Sequence, residues 1–178
     1  MKKYVHKCGS CTVCCVDLHI RDKSYADAFG EKPPGVPCTK LKAHASSHGM
    51  CTVWDSDEKP SVCRDFSCGY MDYEGFGRLA PGFRPDRSGI VFYSAFVEEY
   101  GMAPIILLEL KMGALQTSVG NTISLMCSEY SAKNRVLVVT RTAEDDGHSE
   151  RVLSGPRRVV ATAEMNRRLY LLKGSQKS

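Results

Sequence analysis

Cys8-Gly9-Ser10-Cys11-Thr12-Val13-Cys14-Cys15 sets three thiols two residues apart and a fourth directly after them, in a chain of 178 residues with nine cysteines. Two intervening residues let consecutive thiolates turn back onto one ion, as in zinc knuckles and ribbons. The same Cys-x-x-Cys-x-x-Cys string opens the iron–sulfur run of bacterial ferredoxins, so spacing alone leaves both metals open. Cys14 and Cys15 leave adjacent backbone positions in different directions. They are expected to serve two sites, or one of them to bridge, and not to chelate a single ion together.

Working outward, Cys38, Cys51, Cys63 and Cys68 bring the count before residue 70 to eight, and Cys127 stands apart. Eight thiols divide into two four-thiolate sites. An iron cluster on four of them, with the others structural or holding zinc, also fits, and the pairing stays open. From Cys8 to about residue 73 hydrophobic periodicity is poor and turn formers cluster, as in Lys32-Pro33-Pro34-Gly35-Val36-Pro37 and Ser46-Ser47-His48-Gly49. Ordering such a segment costs about 1 to 2 kcal/mol per residue, more than its few apolar side chains can return. A bound structural zinc contributes about 10 to 16 kcal/mol directly as folding free energy, which makes metal the expected organiser.

Composition narrows the class. A 43% hydrophobic and 25% charged chain is that of a globular protein. The net charge of +4 is spread among interleaved acidic and basic residues, which argues against a nucleic-acid footprint. The opening Met1 to Cys8 lacks an apolar stretch, so no secretory signal is expected. The longest apolar run, Ala103 to Leu110, is interrupted by Pro104 and Glu109 and falls far short of the roughly 20 residues a spanning helix needs. The expected location is therefore the cytoplasm, where thiols stay reduced and a disulfide framework would not persist.

The second half carries ordinary periodicity. Gly75 to Ser88, rich in Gly, Pro and Arg, is expected to connect a Cys-rich module (1–74) to a small α/β part (90–178), with 75–89 as the loop between them. Ile90 to Val97 and Pro104 to Leu110 have the β-branched and aromatic content of paired strands, joined around Gly101. Val119, Ile123, Met126 and Tyr130 recur at helical spacing, predicting a helix over about 115–132 with Cys127 as core or boundary packing. Arg135 to Thr140 predicts a third strand buried on both faces. A last helix is expected from near Pro156, a residue suited to the first helical position, to about Leu172. The fold class is thus α+β: an irregular metal-stabilised Cys-rich module packed on a small β-β-α-β-α layer.

Four blocks carry a resemblance: Cys8 to Cys15, Cys38 followed by Leu41, Cys51-Thr52-Val53-Trp54, and Lys59-Pro60-Ser61-Val62-Cys63-Arg64-Asp65-Phe66-Ser67-Cys68. In order and content they resemble the YkgJ-like cysteine-cluster family, a CxxCxxCC zinc- or iron-chelating domain. The eight cysteines match that pattern one for one over about the first 70 residues. Two positions depart from it: Trp54 stands where Tyr is usual, and Lys59 replaces an Arg, keeping the charge but losing its bidentate fork. The resemblance implies metal chelation by Cys8, Cys11, Cys14, Cys15, Cys38, Cys51, Cys63 and Cys68. The family includes the cluster-bearing part of flagellin lysine methylases, for which an iron–sulfur centre is the implied occupant. No Gly-rich nucleotide loop follows a strand here, so methyl transfer is not carried over.

Other residues weigh less. His6, His19, His44 and His48 lie among the cysteines and are read as surface groups or supports of a ligand, with eight thiols already available. Lys7 and Arg64 adjoin cysteines and are candidates to offset thiolate charge. Arg78, Arg84 and Arg87 are read as a solvated loop, Arg157-Arg158 and Arg167-Arg168 as the outer face of the last helix, and Asp145-Asp146-Gly147-His148 as a turn. The leading expectation is a metal-binding protein holding about two zinc ions, with a structural or protein-partner-binding role. The alternative is an iron–sulfur protein with redox or catalytic, protein-modifying work. A third, a thiol enzyme or metal-delivery protein, would use one labile thiolate of the Cys14-Cys15 pair. The sequence offers no convincing nucleophile–base pair, which weighs against an enzyme.

Overall fold

The computed structural model describes residues 11–18, 20, 23–43, 49–53, 56–142 and 151–175. Cys8, Lys7, His6, His19, His44, His48, Trp54 and the expected turn at Asp145-Asp146-Gly147-His148 lie outside the described residues.

The cysteine-rich part is made of short pieces. Helix α1 (Val13–Val16) is a single turn holding Cys14 and Cys15, and α2 (Lys23–Phe29) follows it. Gly30 ends α2 in the left-handed region at φ 81°, its N–H bonding Ala26 O at 2.9 Å, a conformation that favours a residue without Cβ. Strands β1 (Leu41–Ala43) and β2 (Gly49–Cys51) form an antiparallel ladder that pairs Leu41 with Cys51, and α3 (Ser61–Asp65) carries Cys63. Before Ile90, the buried apolar side chains other than proline among the described residues are Val13, Leu18, Tyr25 and Val53. A core this thin matches the poor periodicity of the segment.

The stretch expected as a connecting loop has structure of its own. Helix α4 (Tyr73–Phe76), a 3-10 turn (Pro81–Phe83) and α5 (Pro85–Ser88) run through it, and Phe76, Leu79 and Phe83 pack on the core that follows. Pro81 and Pro85 each start a turn where a missing N–H costs nothing, and Gly89 at φ 71° caps α5.

Strands β3 (Ile90–Ser94), β4 (Ile105–Glu109), β5 (Val138–Thr142) and β6 (Arg151–Ser154) make one mixed sheet in that order. The β3–β4 and β5–β6 pairs are antiparallel and β4–β5 is parallel. A parallel pair needs a crossover, which α6 (Ser118–Asn134) provides. The chain is thus α+β, but the layer is β-β-α-β-β-α: the predicted β-β-α-β-α order omits β6. That strand is four residues long, is bounded by Gly155-Pro156, and joins β5 through a register shift at Val138/Val139, so it carries little alternation of its own. The long helix also starts later than expected, because the Thr117 side chain caps it by accepting from Gly120 N at 3.0 Å. Helix α7 (Arg157–Ser175) closes the described chain and leaves Arg157, Arg158, Arg167 and Arg168 exposed. No helix among the described residues is long and apolar enough to cross a membrane.

Strand alternation divides the packing between the two faces of the sheet. Ile90, Phe92, Ile105, Leu107 and Val138 meet Ile123 and Cys127 of α6. On the opposite face Ile106 and Val139 meet Ala163, Val159 and Val160 of α7, and Val91 and Leu108 meet Val13 and Leu18. The turn holding Cys14 and Cys15 is therefore docked on the sheet. A second anchor is Gly69, beside Cys68: a Cβ there would overlap the Phe92 ring, so the ring approaches only because residue 69 has no side chain.

Candidate metal centre

Four separate segments contribute sulfurs to one electrostatic neighbourhood. Cys15 comes from α1, Cys38 from the loop before β1, Cys51 from the end of β2, and Cys63 from α3. Backbone bonds tie the first three together: Cys38 N donates to Cys15 O at 2.8 Å, Leu41 N to Cys38 O at 2.9 Å, and Thr52 N to Lys40 O at 2.9 Å. The Cys38 sulfur accepts from Tyr25 Oη at 2.9 Å and from Lys40 N at 3.4 Å.

Charge connects the same four residues. Burial pushes the Cys63 thiol up to about 11, and repulsion from Cys15 and Cys38 adds to it. Burial also raises Cys51, with the Val53 N–H opposing and the charges of Cys15 and Cys38 assisting. Cys15 moves the other way. A hydrogen bond with the Cys14 thiol brings it down to about 7 in spite of burial, and attraction to Lys32 and Lys59 contributes. A thiol near 7 is half deprotonated at neutral pH and can act as a ligand or nucleophile.

Cys11 and Cys68 form a second association. Burial raises both, and the charge of Cys11 adds to the rise at Cys68. Both pack, with Cys14, against the cluster of Val13, Leu18, Val91 and Leu108. Cys14 belongs to both neighbourhoods, since it also hydrogen-bonds Cys15. The two adjacent thiols, both on α1, are close enough to hydrogen-bond.

No described cysteine is in a disulfide, and all but Cys127 are partly accessible. Among the described residues, no group of three or more His, Cys, Asp or Glu side chains is disposed as it stands to hold a metal ion. Tested by its chemistry, the donor set is soft, reduced and numerous enough for zinc or iron. The raised Cys51 and Cys63 thiols would have to lose protons to a metal, as thiol ligands do.

No family model, curated protein or solved structure matches this chain.

The remaining sequence candidates fall as follows. Arg64 does not face the sulfurs: it is exposed and donates to Asp57 O at 2.8 Å. The cations that act on Cys15 are Lys32 and Lys59. Arg84 pairs with Asp86 at 2.6 Å, near Cys11, while Arg78 and Arg87 are exposed. Cys127 is fully buried on α6, with Ile123 and Phe92 in the same cluster. Sequence reasoning missed Tyr25 and Lys32. Each sits in a segment without periodicity, and Lys32 lies within a run of turn formers where a lysine ordinarily means surface.

Proposed function

We propose that this protein binds zinc or iron in the cytoplasm through cysteine thiolates, with Cys15, Cys38, Cys51 and Cys63 as one centre. Cys11, Cys14 and Cys68 form the second group, Cys14 stands at the junction, and the sequence pattern adds Cys8 to the ligands. A bound ion of this kind supplies folding free energy to a segment with few buried apolar side chains. The role is structural, organising the first half of the chain against the sheet so that it presents a fixed surface to a protein partner. On the four cysteine blocks alone, the chain is also read as a member of the YkgJ-like cysteine-cluster family.

The observation that carries this reading is the convergence of cysteines from four separate segments, with Cys38 N bonded to Cys15 O at 2.8 Å and Cys15 and Cys38 both close enough to act on Cys51 and Cys63. Packing alone gives no reason to gather reactive thiols in a half that has little core to fill. Zinc is the first occupant, since it suits all-thiolate sites without assembly machinery. An iron–sulfur occupant is the second, favoured by the two donors on the Cys38 sulfur, because hydrogen bonds to sulfur tune such clusters.

Metal analysis with an absorption spectrum on protein purified without air tests the proposal. The expected result is about two zinc ions per chain and no visible band. A brown preparation absorbing near 400 nm would move the assignment to iron–sulfur, and a metal-free, fully structured protein with all thiols free would end it.

A further inference from the structure

Lys32 is 2% exposed and Tyr25 is 1% exposed, and both face the proposed Cys15–Cys38–Cys51–Cys63 centre. The Lys32 ammonium donates to Val16 O at 2.9 Å and to Leu18 O at 2.6 Å, the carbonyls just beyond the Cys14-Cys15 turn. Its backbone is bridged to the same stretch, with Ile20 N donating to Lys32 O at 3.1 Å. Two carbonyls satisfy N–H groups but do not neutralise a charge, and an uncompensated buried ammonium is strongly unfavourable. No carboxylate among the described residues forms an ion pair with Lys32. Its strongest attractions are to Cys15 and Cys38, ahead of Asp17. Negative charge on the sulfurs beside it, which thiolates carry when bound to a metal, would favour a charged lysine at this buried position.

Tyr25 complements it. Its hydroxyl donates to Cys38 Sγ at 2.9 Å, and its ring packs edge-on against Phe29 at 5.3 Å between centroids. Lys32 thus grips the α1 side of the centre and Tyr25 the Cys38 side.

We propose that Lys32 and Tyr25 are positioning residues of the thiolate centre: Lys32 holds the Cys14-Cys15 turn by its two carbonyls and offsets the thiolate charge, and Tyr25 orients the Cys38 sulfur. This inference rests on the metal-binding reading above. Neither residue is a ligand. Each acts through the sulfurs, and supports of this kind are worth about 10- to 100-fold in metal affinity.

The test uses the full chain as wild type, Lys32→Met, Lys32→Arg and Tyr25→Phe, each loaded with Co(II) or zinc. Two quantities are read: zinc release to a chromophoric chelator, and the Co(II)–thiolate absorption spectrum. Lys32→Met is expected to bind zinc about tenfold or more less tightly, with Lys32→Arg recovering most of the loss through its retained charge. Tyr25→Phe, which removes one oxygen and keeps the packing, is expected to shift the Co(II)–thiolate band, a change that a merely structural tyrosine would not produce. Wild-type affinity in Lys32→Met together with an unshifted band in Tyr25→Phe would overturn the inference and leave metal binding standing. A wild-type chain that takes up neither ion and carries no iron as purified would overturn both. Because Tyr25→Phe is conservative, the outcome remains decisive even where Lys32→Met fails to fold.

Discussion

The backbone N–H of Cys38 donates to the carbonyl oxygen of Cys15 at 2.8 Å. This bond ties the end of the first cysteine cluster to the start of the later series, and the Cys38 sulfur is held in turn by Tyr25. Sulfurs that are separate in the sequence are brought together by main-chain contacts, each of which has a local cause: the single turn of α1, the glycine end of α2 and the short β1–β2 ladder.

The two classes of cysteine should separate on substitution. Cys38→Ser is expected to lower the metal content of purified protein, measured by elemental analysis. Cys127→Ser should leave it unchanged, while lowering the melting temperature, because a hydroxyl buried at 0% exposure among Ile123 and Phe92 costs about 1 to 3 kcal/mol without a partner. Equal metal loss in both variants would remove the distinction.

Gly69→Ala tests how the cysteine-rich part is anchored. The added methyl group would meet the ring of Phe92, which is fully buried and cannot swing away, so calorimetry should find a destabilisation of about 1 to 3 kcal/mol. A melting temperature unchanged from wild type would show that the contact yields freely.

Thiol reactivity should depend on position and pH in metal-stripped protein to the extent that the docking of Val13 and Leu18 on the sheet keeps α1 in place. Cys15, lowered to about 7 by its bond with Cys14, is a thiolate above that pH and a thiol below it. Its alkylation should therefore reach a plateau just above neutrality and fall as pH drops through about 7. Cys63, raised to about 11, should stay slow throughout the neutral range. Peptide mass spectrometry after timed iodoacetamide treatment reads both. Uniform labelling of the two thiols at pH 7 would contradict these environments.

Much of the layer was legible in the sequence because it follows period and composition. Ile90 to Ser94, Ile105 to Glu109 and the Val119–Ile123–Met126–Tyr130 helix face all lie where the alternation and the helical spacing put them. Strand β6 was not legible, since Arg151-Val152-Leu153-Ser154 owes its state to pairing with β5 and not to its own pattern. In the cysteine-rich part the spacing marked the sulfurs as candidates. Their grouping depends on how the intervening turns fold, which no periodicity records. The burial of Lys32 was hidden for a related reason: a lysine between prolines and glycines signals a solvated turn until the Val16 and Leu18 carbonyls are seen at its ammonium.

Counting the sulfurs around the metal tests the central claim most directly. X-ray absorption at the zinc edge of the natively loaded protein should give about four sulfurs at about 2.3 Å, falling towards three on average at the affected site in Cys38→Ser. A shell of oxygen and nitrogen alone, or a sulfur count that Cys38→Ser leaves untouched, would contradict the assignment of this centre.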